Sequence, residues 1–223
     1  MIDVPADRLS AAESYRLLVG IVVPRPIAWV TTRQADGRVN LAPFSCYTFV
    51  SSDPPMVAVS IGRRDGVSKD TAENARRTGE FVVNIVAEDQ VEPMHLSSAA
   101  HPNDASEPEL LGIALAPSLR VETPRVAAAP VALECRLADI LPFGRLKTEL
   151  VVGEVVMFRI ADALYRDGKV DTVAMRPLAR LGGPHYARLG EILTMPVVGE
   201  PGPGAPAPSS SRPAPGNPTV RQR

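Results

Sequence analysis

The stretch "SIGRRDGVSKDTAENARRTG" (residues 60–79) gathers the side chains best suited to meet an anion. A strand is expected to end at Ile61, a glycine-containing loop follows, and Ser68, Lys69, Asp70 and Thr71 stand where a helix begins. The first-turn N–H groups of a helix lack intrahelical partners and carry partial positive charge. With hydroxyls, a lysine, and Arg63 and Arg64 just upstream, the stretch could cradle a phosphate. Asp70-Thr71-Ala72-Glu73 also has the spacing of a capping box, and a capped, solvated helix start would read the same way.

A second stretch, "GRVNLAPFSCYTF" (37–49), sets Pro43, Phe44 and Ser45 together. Proline has no N–H, so a strand through Pro43 must lie at an edge or end there. Backbone N–H groups near Phe44 and Ser45 are then free for a ligand. An aromatic ring beside a small hydroxyl residue suits a flat heteroaromatic. The competing reading places Phe44 and Phe49 in the core. The third stretch, "MRPLARLGGPHYARLGE" (175–191), turns at Gly182-Gly183-Pro184 and then presents His185 and Tyr186. That pair could line a pocket or move a proton, or simply sit on a capped surface turn.

Other chemistries lack their residues. No G-x-G-x-x-G follows a strand, no G-x-x-x-x-G-K-[ST] occurs, and no G-x-S-x-G elbow is present. His95 and His101 lack matched partner ligands, so no zinc site is expected.

These stretches need elements to hold them, and the sequence reads as β-rich. Strands are expected at "PIAWVTT" (26–32), Met56–Ile61, "EFVVNIV" (80–86), "APVALECRLADIL" and "ELVVGEVVMFRIAD". Val131, Leu133, Cys135 and Leu137 fall on one face of the fourth, and Gly153 marks a bulge or bend in the fifth. Asp-Gly turns are expected in "QADGR" and at Asp167-Gly168. Helices are expected at 10–20, capped by Ser10 and ended by Gly20, at 68–79, and less regularly at 88–99, which Pro93 interrupts. Many strands at short spacing favour a barrel or sandwich.

The 223 residues suit one domain with appendages, and 45% are hydrophobic, enough for a core. A formal net charge of −1 gives no electrostatic case for nucleic acid or an anionic membrane as partner. No apolar run approaches the roughly 18 residues of a membrane helix. The N-terminus lacks a signal peptide's basic start and apolar stretch, so a cytoplasmic location is the expectation. Cys46 and Cys135 read as reduced, buried, small hydrophobes. From Pro201 on, seven prolines and three glycines with no aromatic predict a disordered tail.

Taken in order, "RPIAWVTT", "DGRVNLAPFSCYTFVSSDPPMVAVSIGRR", "SKDTAENARRTGEFVVNIV", "PVALECRL", "VVGEVVMF" and "RPLARLGGPHYA" resemble the flavin reductase-like family of FMN-binding split-barrel proteins. The resemblance runs from Tyr15 to about Leu189. It implies a mainly β protein with a few helices and a small antiparallel split β-barrel; the composition sets that domain at 1–198 and the disordered Pro/Gly/Ala/Ser-rich tail at 199–223, outside the resemblance. It further implies a homodimer holding FMN near its interface. Ala42, Pro43, Phe44 and Ser45 would lie along the isoalloxazine edge. Trp29, Thr31 and Thr32 would lie near the ring and the ribityl-phosphate. Arg63, Ser68, Lys69, Asp70 and Thr71 would face the phosphate, and His185 and Tyr186 would close the pocket. The implied activity is hydride transfer from NADH or NADPH to flavin, with a monooxygenase as a further partner. The other implied role is an FMN-binding electron carrier or sensor without nicotinamide turnover. No catalytic acid, base or metal is needed, because flavin carries the hydride chemistry.

Overall fold

Runs of β-branched and apolar residues build one seven-stranded antiparallel sheet in the computed structural model, which describes residues 1–99, 101 and 105–197. Its strands are β1 (Ala28–Arg33), β2 (Val39–Phe44), β3 (Tyr47–Ser52), β4 (Pro55–Ile61), β5 (Glu80–Ile85), β6 (Val131–Phe143) and β7 (Thr148–Ile160). Their order is β2-β1-β5-β6-β7-β4-β3, so β2 and β3, consecutive in the chain, are the two edges. One apolar cluster nevertheless takes Val30, Phe44, Val59, Phe81, Cys135 and Val151, with Tyr47 packed against it. A core shared by both edge strands requires the sheet to curl around it, giving a barrel left split between β2 and β3. A second cluster, Ile27, Trp29, Leu41, Val86, Met94, Val126 and Leu178, lies on the other face of β1 and β2.

Pro43 sits inside β2, opposite Trp29, and the edge position tolerates its missing N–H. The sequence reading gives no strand at Tyr47–Ser52, where β3 forms a largely exposed edge. Phe49 is exposed there while Phe44 is 8% exposed, so the core expectation holds for one ring and fails for the other. Cys46 is also exposed, correcting the expectation of two buried thiols: it stands on the bend between the edge strands, where no third layer covers it. Cys135 is fully buried, and burial pushes its thiol well above the ordinary range.

Gly153 marks a register shift between β6 and β7, as its place in the strand predicts. A Cβ there would stand 2.5 Å from Phe81 Cζ, so the phenylalanine ring occupies the space a side chain would need.

Helix α1 (Ala11–Ile21) opens with a complete capping box: Ser10 N–H donates to Glu13 Oε2 at 2.9 Å, and Glu13 N–H donates to Ser10 Oγ at 3.3 Å. It runs past Gly20 instead of stopping there. Helix α2 (Asp70–Thr78) ends at Gly79, whose φ of 73° forms a left-handed cap. Ala72 and Ala75 of α2 enter the barrel core. The expected helix at 88–99 divides into a 3-10 turn, Glu88–Gln90, and α3 (Val91–Leu96). Pro93 falls in the first turn of α3, where its missing N–H costs nothing.

Three short strands, Arg25–Pro26, Ala179–Arg180 and Tyr186–Ala187, form a ribbon that returns the late chain to the start of β1. Residues 1–189 make up one compact unit, and residues 190–197, outside it, have no helix or strand. The boundary at 198 and the tail over 199–223 lie outside the described residues.

Candidate functional site

Lys69 immediately precedes α2, and its Nζ stands over the Phe44 ring, 5.9 Å from the centroid. The start of α2 and the end of β2 therefore meet. Lys69 is half-buried and makes no ion pair among the described residues. Burial, and then the nearby Arg64 guanidinium, hold its ammonium below the usual lysine range. No side chain caps α2, so the capping box expected at Asp70 and Glu73 does not form. Asp70 points to solvent, and Glu73 bonds Arg76 instead, at 2.6 Å.

A buried hydrogen-bonded knot locks these segments together. Thr32 Oγ1 on β1 accepts from Asn40 Nδ2 at 3.3 Å and from Asn74 Nδ2 at 3.2 Å. Asn40 also donates to Thr71 Oγ1 at 3.0 Å. All four residues are buried, so the amide donors of Asn40 and Asn74 are matched where water does not reach them.

Below the loop, Glu149 at the start of β7 collects three donors. Arg63 reaches its Oε1 at 3.1 Å, Arg76 reaches the same oxygen at 2.7 Å, and the Ser68 hydroxyl donates to Oε2. The carboxylate is only 2% exposed. Burial alone would raise its pKa, but Ser68, Arg76 and Arg63 outweigh that and hold it below the usual carboxylate range. Arg63 and Ser68, expected to face an anion, thus each give a bond to Glu149.

Ser45 is positioned from the other side. Arg25 is 7% exposed, and its Nε donates to Ser45 Oγ at 3.3 Å. Its Nη1 donates to the carbonyls of Val19 at 2.7 Å and Val22 at 2.6 Å, and its Nη2 to that of Leu181 at 2.9 Å. One guanidinium therefore ties the end of α1 and the late-chain ribbon to the Ser45 bend.

The other expected residues go elsewhere. Trp29 is 1% exposed in the outer cluster, and its Nε1 donates to Ser97 Oγ at 2.9 Å. Thr31 is buried on the same face and donates to the Pro124 carbonyl at 2.7 Å. Alternation along β1 sends residues 29 and 31 to the opposite face from Thr32. Tyr186 packs against that outer cluster. Its hydroxyl lies 2.9 Å from His95 Nδ1 and accepts from Arg180 Nη1 at 2.5 Å, while the Arg180 guanidinium covers its ring at 4.7 Å. His185 is exposed on the turn, where its carbonyl accepts from Leu181 N–H. Ala42 and Pro43 are half-buried along the β2 edge beside Phe44.

The sequence reading missed Arg25, Asn40, Asn74 and Glu149. Asn40 carried a local signal, since asparagine is depleted in strands and needs a partner there. An open depression of about 530 Å³ between the β1–β2 turn and the end of α2, lined by Arg33, Asp36, Arg77, Glu80 and Glu122, includes none of the expected residues.

Comparison with known proteins accords with this architecture. Nitrilotriacetate monooxygenase component B from Bacillus cereus superposes with a TM-score of 0.85 at 35% identity, covering 87% of this chain and 98% of that one. The 2-nitrobenzoate 2-nitroreductase of Pseudomonas fluorescens gives 0.82 at 32% identity, covering 89% and 97%. A putative flavin reductase with a split barrel domain from Shewanella frigidimarina gives 0.76 at 23% identity over 86% and 96%, a likeness of fold. The flavin reductase like domain matches residues 20–174, and the chain belongs to that family.

Proposed function

We propose that this chain is a flavin oxidoreductase that binds FMN against the Ala42–Ser45 edge and passes hydride from NADH or NADPH to it. The observation that carries the reading is Lys69: a half-buried cation without an ion-pair partner among the described residues, beside Phe44 and an uncapped helix start. The residues present suit the cofactor. A dianionic tail would restore the charge that burial penalises on Lys69, and the first-turn N–H groups of α2 add donors of the right polarity. Bound flavin would itself accept and donate hydride. Phe44 supplies apolar support, and N–H donors beside Pro43 and Ser45 would favour negative charge building on the ring edge. Trp29 and Thr31 act as supports behind β1, and Thr32 and Thr71 hold the phosphate end rigid through the knot.

The likeness to a monooxygenase component B favours a role in supplying reduced flavin to a partner monooxygenase. The likeness to a nitroreductase favours instead a nitroaromatic acceptor used directly. A homodimer fits the exposed apolar face of α1, where Tyr15, Leu18 and Ile21 are each more than half exposed and no residue of the helix is buried. Arg25 binds that helix to Ser45, so a second copy on this face would stand beside the flavin edge. Among the described residues no helix is long and apolar enough to cross a membrane, and a cytoplasmic site of action suits nicotinamide as donor. The test is NADH or NADPH oxidation with and without added FMN, then with a nitroaromatic. FMN-dependent turnover supports the reading; no nicotinamide oxidation with either acceptor refutes it.

A further inference from the structure

Glu149 has no part in the sequence motifs, yet its buried carboxylate sits beneath the loop that would hold the anionic tail. It takes Arg63 from the loop after β4, Ser68 from the residue before Lys69, and Arg76 from the far end of α2. Two donors come from the two ends of the β4–α2 loop and the third from α2 itself, so the carboxylate fixes where the loop runs relative to the helix. A negative charge beside an anion site is otherwise a cost, because like charges repel. Here the charge is matched by two guanidiniums and a hydroxyl, leaving Lys69 and Arg64 as the cations of the β4–α2 loop without a carboxylate partner in the described residues.

We propose that Glu149 is a positioning residue for the phosphate end of the cofactor. Resting on the FMN reading above, this gives Arg63 and Ser68 to Glu149 and assigns the anion to Lys69, Arg64 and the first turn of α2. Glu149 acts through Ser68, which fixes the backbone that carries Lys69 toward Phe44. The consequence is specific to the tail: the ring edge at Ala42–Ser45 has no bond to Glu149.

The experiment is parallel titration of the full chain with FMN and with riboflavin, which has the ring but no phosphate. Glu149→Gln removes the charge and keeps the shape. Glu149→Asp keeps the charge but is one carbon too short to hold all three donors, and it carries the test if the glutamine variant does not fold. The ratio of FMN to riboflavin affinity should fall about tenfold in Glu149→Gln, as loss of hydrogen bonds to a charged group implies, and by less in Glu149→Asp, with riboflavin affinity unchanged. An unchanged ratio in the folded variants, or an equal loss for both ligands, overturns the positioning role. A wild-type chain that binds neither flavin refutes the FMN reading itself, a result distinct from either.

Discussion

Lys69 Nζ stands 5.9 Å above the centroid of the Phe44 ring, joining the start of α2 to the end of edge strand β2. Twenty-five residues separate the two in sequence. Charge and ring define the two ends of the surface proposed for flavin, and each can be tested alone.

Lys69→Gln removes the cation that faces the anion. FMN affinity should fall about ten- to a hundredfold, in line with the roughly 1.5–3 kcal/mol of a charge-assisted hydrogen bond, while riboflavin affinity holds. Fluorescence-quench titration reads both. Lys69→Glu should weaken FMN further by direct repulsion. Unchanged FMN binding in both variants would move the phosphate elsewhere.

Arg25→Ala should cost about 3 kcal/mol, because the carbonyls of Val19, Val22 and Leu181 all lose a charged donor. Urea denaturation measures it. Flavin affinity should fall too, since the Ser45 hydroxyl loses the Arg25 Nε donor. A loss under 1 kcal/mol would mean water replaces the guanidinium freely.

Gly153→Ala forces a methyl into the Phe81 ring. A loss of about 1–3 kcal/mol is expected, with flavin affinity per folded molecule retained, because the clash lies in the barrel core away from Lys69. Restored stability in the double variant Gly153→Ala, Phe81→Leu would confirm the cause.

How legible this was in the sequence depended on distance along the chain. Lys69 and Ser68 at a helix start, Pro43 at a strand edge and Gly153 at a bulge are local signals, and each lies where its neighbours imply. Glu149 was silent because its partner Arg63 lies 86 residues away, and Arg25 because Leu181 lies 156 away. Trp29 was misleading for a related reason: nothing local says which face of β1 meets the helices, and only the docking of α3 and Ser97 settles it. The Asp70–Glu73 spacing matched a capping box, but Arg76 offers Glu73 a charged partner that a box does not.

Acid should reveal Glu149 in the stability of the protein. Its folded pKa lies below the ordinary 4.5, so its contribution is full above that value and is lost as pH falls from there through the folded pKa. Urea midpoints for wild type should therefore hold from pH 7 to about 5 and drop more steeply below 4.5 than those of Glu149→Gln. Parallel curves for the two proteins would show that the carboxylate is not held by its three donors.

The most direct measurement is equilibrium dialysis of the purified full chain against FMN, read by the visible flavin band on the protein side. One FMN retained per chain, with retention sharply reduced in Lys69→Glu, is the expected result. Equal flavin on both sides of the membrane at every concentration would contradict the flavin site at its root.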